Sequence, residues 1–494
     1  MPVDGPLRGP DLSRRGFFAL AGSAAITAAL ASCAPGGTPT PTPTPTWTPP
    51  ADPMAFPPGF VWGAATSAYQ VEGSLTADGR RPSIWDTFAA QPGAIRDGST
   101  GEPGADQYRR YAQDVELMAA LGLGAYRFSL AWPRIQPAGR GAPNVAALDH
   151  YRRLVDALAA RGIRSAVTLF HWDLPQAVQD DGGWENRATA ERFAEYAAIC
   201  FDALRDVDID WMTLNEPKTH AFAGHWYGAH APGLRDPDVA AAAVHHQLLA
   251  HGLAVRRFRE GGTPGRIGIA LNLIPVYPLD PALPDGAARL DGRENRLFLD
   301  PVLKGSYPTD AIGPEPGQLP ADPEAFTALQ HDGDLDVIAT PNDFLAVQYY
   351  GVTGADSSGN EASIAPTSAA SWQQIRAEGL YDLLTRLRRD YSEIPLIITE
   401  NGIPDPTPDL TVDDPHRTDF LRAHFQQAAR AIGEGVPLQG FYVWSLLDNF
   451  EWAEGYQQRW GLIAVDFQSQ ERTLKRSAEW YSRVVAANAV AAAG

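Results

Sequence analysis

The chain has 494 residues, of which 44% are hydrophobic and 20% charged, an ordinary composition for a soluble globular protein. Its formal net charge of -19 argues against nucleic acid or an anionic membrane surface as a partner. The two cysteines, Cys33 and Cys200, are too few for a disulfide framework or a cysteine-based zinc site. Cys200 lies in an amphipathic stretch, and we interpret it as a small buried hydrophobe.

The first 32 residues have the pattern of an export signal. Residues 13–18, SRRGFF, resemble a twin-arginine signal, and the apolar run from Phe17 to Ala31 is shorter than a typical membrane span. The run ends in Leu30-Ala31-Ser32-Cys33, which resembles a bacterial lipobox. We therefore expect export, cleavage before Cys33 and a lipid on its sulfur that anchors the protein to the outer face of a bacterial membrane. The alternative is a plain signal peptide with an unrelated cysteine.

Residues 33–53 are predicted to be a Thr/Pro-rich linker. Threonine and proline alternate from Thr38 to Pro50, a pattern that cannot build a core and favours an extended polyproline conformation. We interpret this linker as a semi-rigid tether that holds a folded domain, residues 54–490, away from a membrane. The twin-arginine signal implies that this domain folds before export.

Strand-like and helix-like segments alternate after the tether. Eight short apolar runs have the near-continuous hydrophobicity of buried parallel strands. They lie at Phe60–Ala65, Ala125–Leu130, Ser165–Phe170, Ile209–Leu214, Ile267–Ile274, Phe344–Tyr349, Pro395–Thr399 and Gln439–Trp444. Helical patterns lie at 108–121, 148–160, 189–205, 238–260, 373–391, 416–433 and 474–489. This alternation predicts an α/β fold, a single (β/α)8 TIM barrel.

One stretch, from Pro275 to Pro341, fits the alternation poorly. It is rich in proline, glycine and aspartate, and its helical periodicity is weak. We predict long loops around a short helix at this place, and not a separate domain.

Polar and aromatic residues follow the predicted strands directly. They are Arg127 in the second strand, His171, Trp172 and Asp173 after the third, Asn215 and Glu216 after the fourth, Gln348, Tyr349 and Tyr350 at the sixth, Glu400 and Asn401 after the seventh, and Trp444 at the eighth. In a (β/α)8 barrel such positions converge on the carboxyl-terminal mouth, where active sites lie. Core packing alone rarely requires this pattern on six strands of one chain.

Two of these residues, Glu216 and Glu400, are carboxylates on opposite sides of the predicted barrel. Cleavage of a glycosidic bond needs such a pair, because one carboxylic acid protonates the leaving oxygen while the other attacks the anomeric carbon or activates water. A carboxyl separation of about 5–5.5 Å gives retention of configuration, and about 6.5–9.5 Å gives inversion. The residues alone leave both outcomes open.

Each glutamate lies in a short motif, TLNEP at 213–217 and ITENG at 398–402. Further motifs are GAATSAYQVEG at 63–73, YRFSLAWPRIQP at 126–137, TLFHWDLP at 168–175 and WSLLDNFEWAEGYQQRWGLIAVD at 444–466. Together they resemble glycoside hydrolase family 1, the β-glucosidases, over nearly the whole chain after the tether. The resemblance implies a (β/α)8 barrel and a retaining β-glycosidase. Its expected reaction is hydrolysis of terminal, non-reducing β-D-glucosyl residues.

The resemblance also implies roles for individual residues. Glu400 would be the nucleophile that forms a glycosyl-enzyme, and Glu216 would be the acid and then the base. Arg127 and Tyr350 would hold the Glu400 carboxylate, although Arg127 could equally be a structural ion pair. Asn215 would bind the sugar 2-hydroxyl. The remaining donor-sugar contacts would come from Gln70, His171, Trp172, Glu451 and Trp452, with Trp444 as the stacking floor.

Glu451 and Trp452 bear on the sugar. A carboxylate that accepts hydrogen bonds from the 4- and 6-hydroxyls suits a neutral sugar and repels a 6-phosphate, and no lysine occurs in the ten positions after Trp452. We therefore expect small, non-phosphorylated β-glycosides or short oligosaccharides as substrates. Three places depart from the family pattern: Gln348 stands where asparagine is usual, Arg459-Trp460-Gly461 stands where RFG is usual, and the segment 106–109, DQYR, lacks the frequent histidine.

Three other hypotheses stay open at this stage. A lipobox with a tether also suits a solute-binding lipoprotein, although such a protein needs no paired glutamates. Gln348 leaves room for a sugar-binding barrel without catalysis, and an active enzyme could favour glycosyl transfer over hydrolysis. We expect neither a metal nor an organic cofactor, because two carboxylates suffice. The sequence does not distinguish glucose from galactose or fucose, and it leaves the aglycone and the oligomeric state open.

Overall fold

The computed structural model describes residues 53–391 and 393–491. The predicted signal segment, Cys33 and the Thr/Pro tether lie outside these residues. Within them, no helix combines the length and the apolar character that crossing a membrane requires. Cys200, on the helix Ala188–Ala203, is fully buried against its neighbours, as its amphipathic context predicts.

Eight parallel strands close into one barrel, and the strand order around it follows the chain. The strands are β1 Val61–Ala65, β2 Ala125–Ser129, β3 Arg164–Phe170, β4 Ile209–Asn215, β5 Gly265–Asn272, β6 Phe344–Gln348, β7 Leu396–Glu400 and β8 Leu438–Trp444. Pairing of β8 with β1 closes the barrel. The predicted (β/α)8 fold is confirmed, and each predicted strand end lies within two residues of the observed one.

The barrel interior combines small and large side chains. Four alanines, on β2, β3, β5 and β6, pack there with four larger residues: Ala125, Ala166, Ala270, Ala346, Met212, Phe344, Ile397 and Tyr442. At the carboxyl ends the register aligns Asn272, Gln348 and Glu400 on three neighbouring strands. Because all eight strands are parallel, their polar ends share one mouth.

The outer helices bury apolar faces against the strands. The long ones are Gln107–Ala120, Val145–Ala160, Ala188–Ala203, Pro237–Gly261, Glu378–Tyr391, Pro415–Gly433 and Arg476–Ala487. The longest begins where Asp236 accepts hydrogen bonds from two backbone amides and Pro237 takes the first helical position. It ends at Gly262, whose φ of 59° suits the left-handed conformation that terminates many helices.

Shorter elements complete the fold. Short helices lie at Ala68–Val71, Ala77–Gly79, Ile84–Ala89, Trp132–Ile135, Gln176–Asp180, Gly183–Glu185, Pro217–Ala221, Phe222–Trp226 and Trp452–Glu454. Small sheets pair Pro53–Ala55 with Ala489–Ala491, Ile463–Val465 with Arg472–Leu474, and Val276–Pro278 with Thr353–Ala355, which also pairs with Glu361–Ala362.

The connection between β5 and β6 is more helical than predicted. In place of one short helix it contains Asp285–Asp291, the π-helical turn Gly292–Arg296, Leu297–Lys304, Pro323–Leu329 and Asp334–Ile338. Polar interactions support these segments where apolar periodicity is weak. Asp322 caps one helix ahead of Pro323, and Arg296 binds both Asp291 and Asp310. The prediction of a single short helix was therefore wrong.

Candidate active site

Glu400, at the end of β7, is surrounded by hydrogen-bond donors. Its carboxylate accepts hydrogen bonds from the Arg127 guanidinium, from Gln348 Nε2 at 2.7 Å and from the Tyr350 hydroxyl at 2.8 Å. Only 3% of the residue is exposed. Burial raises the pKa of Glu400, and the Arg127 cation and the Tyr350 hydroxyl oppose that rise. These donors all favour the charged carboxylate.

Glu216, directly after β4, has a different environment. Its Oε2 accepts hydrogen bonds from Thr219 Oγ1 at 2.6 Å and from Asn272 Nδ2 at 3.4 Å. Burial, followed by the negative charge of Glu400, raises the pKa of Glu216 to about 7. Near neutral pH this side chain is therefore ready both to give up and to accept a proton.

Arg127 connects the two sides of the mouth. Besides Glu400, its guanidinium donates to Asn215 Oδ1 at 2.6 Å and to Thr168 Oγ1 at 3.1 Å. Because Asn215 Oδ1 accepts from Arg127, its Nδ2 faces the other way and donates to His171 Nε2 at 3.0 Å. Burial, followed by the Arg127 charge, lowers the pKa of His171 well below its usual value, so the ring is neutral and carries its proton on Nδ1.

Gln348 uses its extra methylene to reach two partners. Its Nε2 lies 2.7 Å from Glu400 Oε1 and 2.6 Å from Asn215 Oδ1. The residue is fully buried. Gln348, the departure from the family pattern, therefore supplies one of the donors to the Glu400 carboxylate.

Glu451 and Gln70 lie on the opposite wall. Gln70 Nε2 donates to Asn449 Oδ1 at 3.1 Å and to the Phe450 carbonyl at 3.0 Å, and it lies 3.4 Å from Glu451 Oε2. Burial, followed by the charge of Glu400, raises the pKa of Glu451 to about 8. Gln70 thus fixes the segment that carries Glu451, a support that the sequence did not indicate.

Aromatic rings form the remaining walls. Trp444 is stacked on His171 with centroids 6.0 Å apart, and Trp452 lies 4.6 Å from both Trp172 and Trp85. Trp172 Nε1 donates to the Asn215 carbonyl at 2.8 Å. Flat rings of this kind suit the apolar faces of a sugar.

Three site residues hold their backbones in the left-handed region that non-glycine residues rarely adopt. The φ angles are 77° at Trp172, 44° at Glu216 and 48° at Trp452. Each residue lies where the chain leaves a strand or a loop and turns toward the mouth. Strain of this kind is concentrated at functional sites, where surrounding contacts maintain it.

Trp460, the second departure from the family pattern, lies behind the mouth. Its buried ring stands edge-on to Tyr350 at 5.7 Å and is stacked on Trp372 at 6.1 Å. Trp372 is 57% exposed. The larger ring therefore backs the tyrosine that contacts Glu400 and supports an exposed tryptophan beside it.

The structure brings these predicted site residues together: Gln70, Arg127, His171, Trp172, Asn215, Glu216, Gln348, Tyr350, Glu400, Trp444, Glu451 and Trp452. Of the other strand-end residues, Tyr349 donates its hydroxyl to the Arg376 carbonyl, and Asn401 Nδ2 donates to the Tyr349 carbonyl, so these side chains do not contact the two glutamates. Cys33 lies outside the described residues. Sequence reasoning missed Thr219 and Asn272, which bind Glu216. A signal for Asn272 existed, since it is the polar residue that ends β5.

Comparisons with known proteins agree with this geometry. The profile described as Glycosyl hydrolase family 1 matches residues 53–490. Beta-glucosidase A of Thermotoga maritima is 43% identical over 444 residues, which cover 87% of this chain and 97% of that protein. Thermostable beta-glucosidase B of Thermobispora bispora is 45% identical over 443 residues, which cover 87% and 90%. A solved structure, the beta-glucosidase from Thermotoga maritima in complex with deoxynojirimycin, matches with a TM-score of 0.81 at 41% identity and covers 88% of this chain and 99% of that one.

Proposed function

Because the chain belongs to glycosyl hydrolase family 1, we propose that it is a retaining β-glucosidase, which hydrolyses terminal, non-reducing β-D-glucosyl residues in two displacement steps. The β-glucosidases to which it is similar support the glucoside specificity. The observation that carries the mechanism is the unequal environment of Glu216 and Glu400. One carboxyl group is surrounded by donors that favour its charge, and the other has a pKa raised to about 7.

In the first step Glu400 attacks the anomeric carbon as the glycosidic carbon–oxygen bond breaks. Glu216 gives its proton to the leaving oxygen, so that an alcohol departs and a glycosyl ester forms on Glu400. Arg127, Gln348 and Tyr350 keep the Glu400 carboxylate charged and oriented before the attack. Asn215 Nδ2, which faces His171, is oriented to contact the sugar 2-hydroxyl, a contact that strengthens in the transition state.

The second step uses the same groups in the opposite sense. Esterification removes the charge of Glu400, which is the second contribution to the raised pKa of Glu216. The pKa of Glu216 therefore falls, and its carboxylate takes a proton from the water that attacks the anomeric carbon. Glu400 leaves as a carboxylate, and Glu216 is again protonated. Two displacements at one carbon retain its configuration.

The donor sugar is proposed to be neutral. Glu451 is partly buried near Gln70, and Trp452 packs among aromatic rings beside it. Its carboxyl group can accept hydrogen bonds from the 4- and 6-hydroxyls or donate to them, whereas a 6-phosphate would add negative charge beside a group whose pKa the charge of Glu400 already raises. Small β-glucosides and short cello-oligosaccharides are therefore the proposed substrates.

Proton NMR of the purified enzyme acting on p-nitrophenyl β-D-glucoside tests the proposal. We expect β-glucose as the first product, followed by slow mutarotation to the α anomer. Glu400→Gln should lower turnover by about 10⁴-fold or more. The matched control Glu454→Gln, a rim carboxylate paired with Arg96, should keep wild-type turnover. α-Glucose as the first product would refute retention, and no turnover of any β-glycoside would refute the enzyme.

The cellular location of the protein is a separate proposal, supported only by the sequence. The twin arginine pair, the apolar run and Cys33 occur in the order that lipoprotein export requires. We expect labelled fatty acid to be incorporated into the full-length chain in a bacterium with a twin-arginine pathway. Cys33→Ser should abolish the label, and Arg14→Lys with Arg15→Lys should retain the precursor inside the cell. Label in the serine variant, or unimpaired export of the double-lysine variant, would refute this location.

A further inference from the structure

A buried cation lies close to the proposed acid/base residue. Lys218 is in the short helix Pro217–Ala221, two residues after Glu216. Only 9% of its side chain is exposed, and its Nζ donates to Glu294 Oε2 at 3.0 Å. Glu294 Oε1 accepts a second hydrogen bond from Arg293 Nε at 2.8 Å. We call Lys218, Glu294 and Arg293 the ion triad.

The ion triad links two parts of the barrel mouth. Glu294 and Arg293 belong to the π-helical turn Gly292–Arg296 between β5 and β6, whereas Lys218 belongs to the helix after β4. Burial alone would raise the pKa of Glu294, but Lys218 and Arg293 overcome it and lower the pKa to about 2. Glu294 is therefore a carboxylate at neutral pH, bound by two basic side chains.

The outer side of the ion triad is also balanced. Arg293 binds Glu361, and its guanidinium lies 5.5 Å above the Trp226 ring. The hydroxyl of Tyr227 is the remaining titratable group there, and burial raises its pKa beyond the physiological range. The charges of two basic side chains and two carboxylates thus nearly cancel. Removal of one of these charges leaves a net charge beside the barrel mouth.

Stability alone gives a weak reason for this arrangement. Desolvation of buried charges offsets much of their attraction, and well-packed apolar residues are often as stable in the same place. The position of the ion triad supplies a better reason. Thr219, which binds Glu216 at 2.6 Å, follows Lys218 directly on the same helical turn.

The charges that face Glu216 come from several elements. Glu400 on β7 raises its pKa, while Lys218 and Arg127 lower it, and Thr219 lowers it through a hydrogen bond. The nearby groups Glu451 and Tyr350 are in turn affected by the charge of Glu216. Lys218 is therefore the positive charge, on the helix of Glu216 itself, that opposes Glu400.

We propose that the ion triad is an electrostatic control on Glu216, in which Lys218 favours its carboxylate and Glu294 limits that effect. This inference rests on the proposed role of Glu216 as acid/base. Lys218 and Glu294 then act as positioning residues of opposite sign. Lys218 prevents Glu216 from holding its proton too tightly in the second step, and Glu294 prevents early loss of that proton in the first.

The pH dependence of kcat/KM on cellobiose tests the inference, because its alkoxide leaving group requires the Glu216 proton. Lys218→Met removes a cation, so the loss of activity at high pH should move upward by about half to one pH unit. Glu294→Gln leaves the Lys218 charge less compensated, so the same limb should move downward by about as much. Lys218→Arg keeps the charge and should restore the wild-type position.

A second substrate separates this effect from damage to the fold. 2,4-Dinitrophenyl β-D-glucoside releases a stable phenolate without a proton, so kcat/KM on it should not follow these shifts. The inference would be overturned if the basic limb of kcat/KM on cellobiose moved in the same direction in Lys218→Met and Glu294→Gln. It would also be overturned if this limb stayed within about 0.2 pH unit of the wild type in both variants. Failure of the proposed function itself would look different, since the wild-type protein would then hydrolyse neither substrate.

Discussion

The carboxyl ends of β4 and β7 present the same side chain in two different settings. Glu400 ends strand β7 and receives hydrogen bonds from Arg127, Gln348 and Tyr350. Glu216 lies at a left-handed turn, and its described hydrogen-bond partners, Thr219 and Asn272, are uncharged. The surrounding side chains, and not the glutamates themselves, therefore determine which carboxyl group keeps its proton.

The difference extends to the backbone. Glu400 is aligned with Gln348 on β6, so its main chain is fixed by the barrel. The Glu216 amide donates to the Ala270 carbonyl at 2.9 Å, and the Glu216 carbonyl accepts from the His220 amide at 3.1 Å as the chain turns into the next helix. A nucleophile must stay in line with one carbon, whereas an acid/base group must serve first an alcohol and then a water. The rigid and the turned position suit these two tasks.

Removal of the Glu216 carboxyl group should cause the largest loss of activity among the substitutions around these two glutamates. Glu216→Ala removes the proton donor, so kcat/KM on cellobiose should fall by about 10³-fold. The first step with 2,4-dinitrophenyl β-D-glucoside should be nearly unchanged, because this leaving group needs no proton. Stopped-flow release of the phenolate, followed by slow turnover, measures the two steps separately.

Azide provides the control for that variant. As a small anion it can attack the glycosyl-enzyme without a general base, so it should accelerate the second step of Glu216→Ala and yield β-glucosyl azide. The wild type should gain little. An equal loss on both substrates, with no response to azide, would contradict the assignment of Glu216 as the acid/base.

Loss of one donor on the nucleophile side should have the next largest effect. Tyr350→Phe removes the hydroxyl that lies 2.8 Å from Glu400 Oε2, so kcat should fall by about 10²-fold. That hydroxyl lowers the pKa of Glu400, so its removal raises the pKa and moves the acidic limb of kcat/KM to higher pH. Tyr349→Phe is the matched control, because the Tyr349 hydroxyl donates to the Arg376 carbonyl instead. An acidic limb that stays in place would contradict the interpretation.

Shortening Gln348 should have a smaller effect than the loss of the Tyr350 hydroxyl, because Gln348→Asn keeps the amide group and only changes its reach. Gln348→Asn shortens the side chain by one methylene and should withdraw it from Glu400 or Asn215, with a fall in kcat of about tenfold. Gln348→Met keeps the length but has no donor, so it should lose more. Steady-state rates on p-nitrophenyl β-D-glucoside measure both. If the asparagine variant exceeds the wild type, the longer side chain is not an adaptation of this barrel.

The residues around Glu400 and those around Glu216 also differ in how far the sequence predicts them. Arg127 lies within a predicted strand, Tyr350 and Glu400 follow continuous apolar runs, and a parallel barrel alone brings such positions together. Thr219 reaches Glu216 only because the chain turns at positive φ, which no pattern of side chains specifies. Lys218 and Glu294 are separated by 76 residues, and the helical turn that carries Glu294 is stabilised by polar contacts without a hydrophobic period. Local patterns therefore predict the strand ends but not the partners supplied by the connections.

Substitution of Thr219 should cause the smallest change in activity, and it should affect Glu216 selectively. Its hydroxyl donates to Glu216 Oε2 at 2.6 Å and lowers the pKa of Glu216 by favouring the carboxylate. Thr219→Val removes that donor at nearly the same volume, so the pKa of Glu216 should rise, and the acid should stay protonated to higher pH. The basic limb of kcat/KM on cellobiose should then move upward by about half a pH unit, with less than about threefold change at the optimum. Thr219→Ser keeps the hydroxyl and should retain the wild-type limb. A shift of the acidic limb instead would mean that this hydroxyl acts on Glu400. The conclusion that Glu216 and Glu400 have independent surroundings would then be wrong.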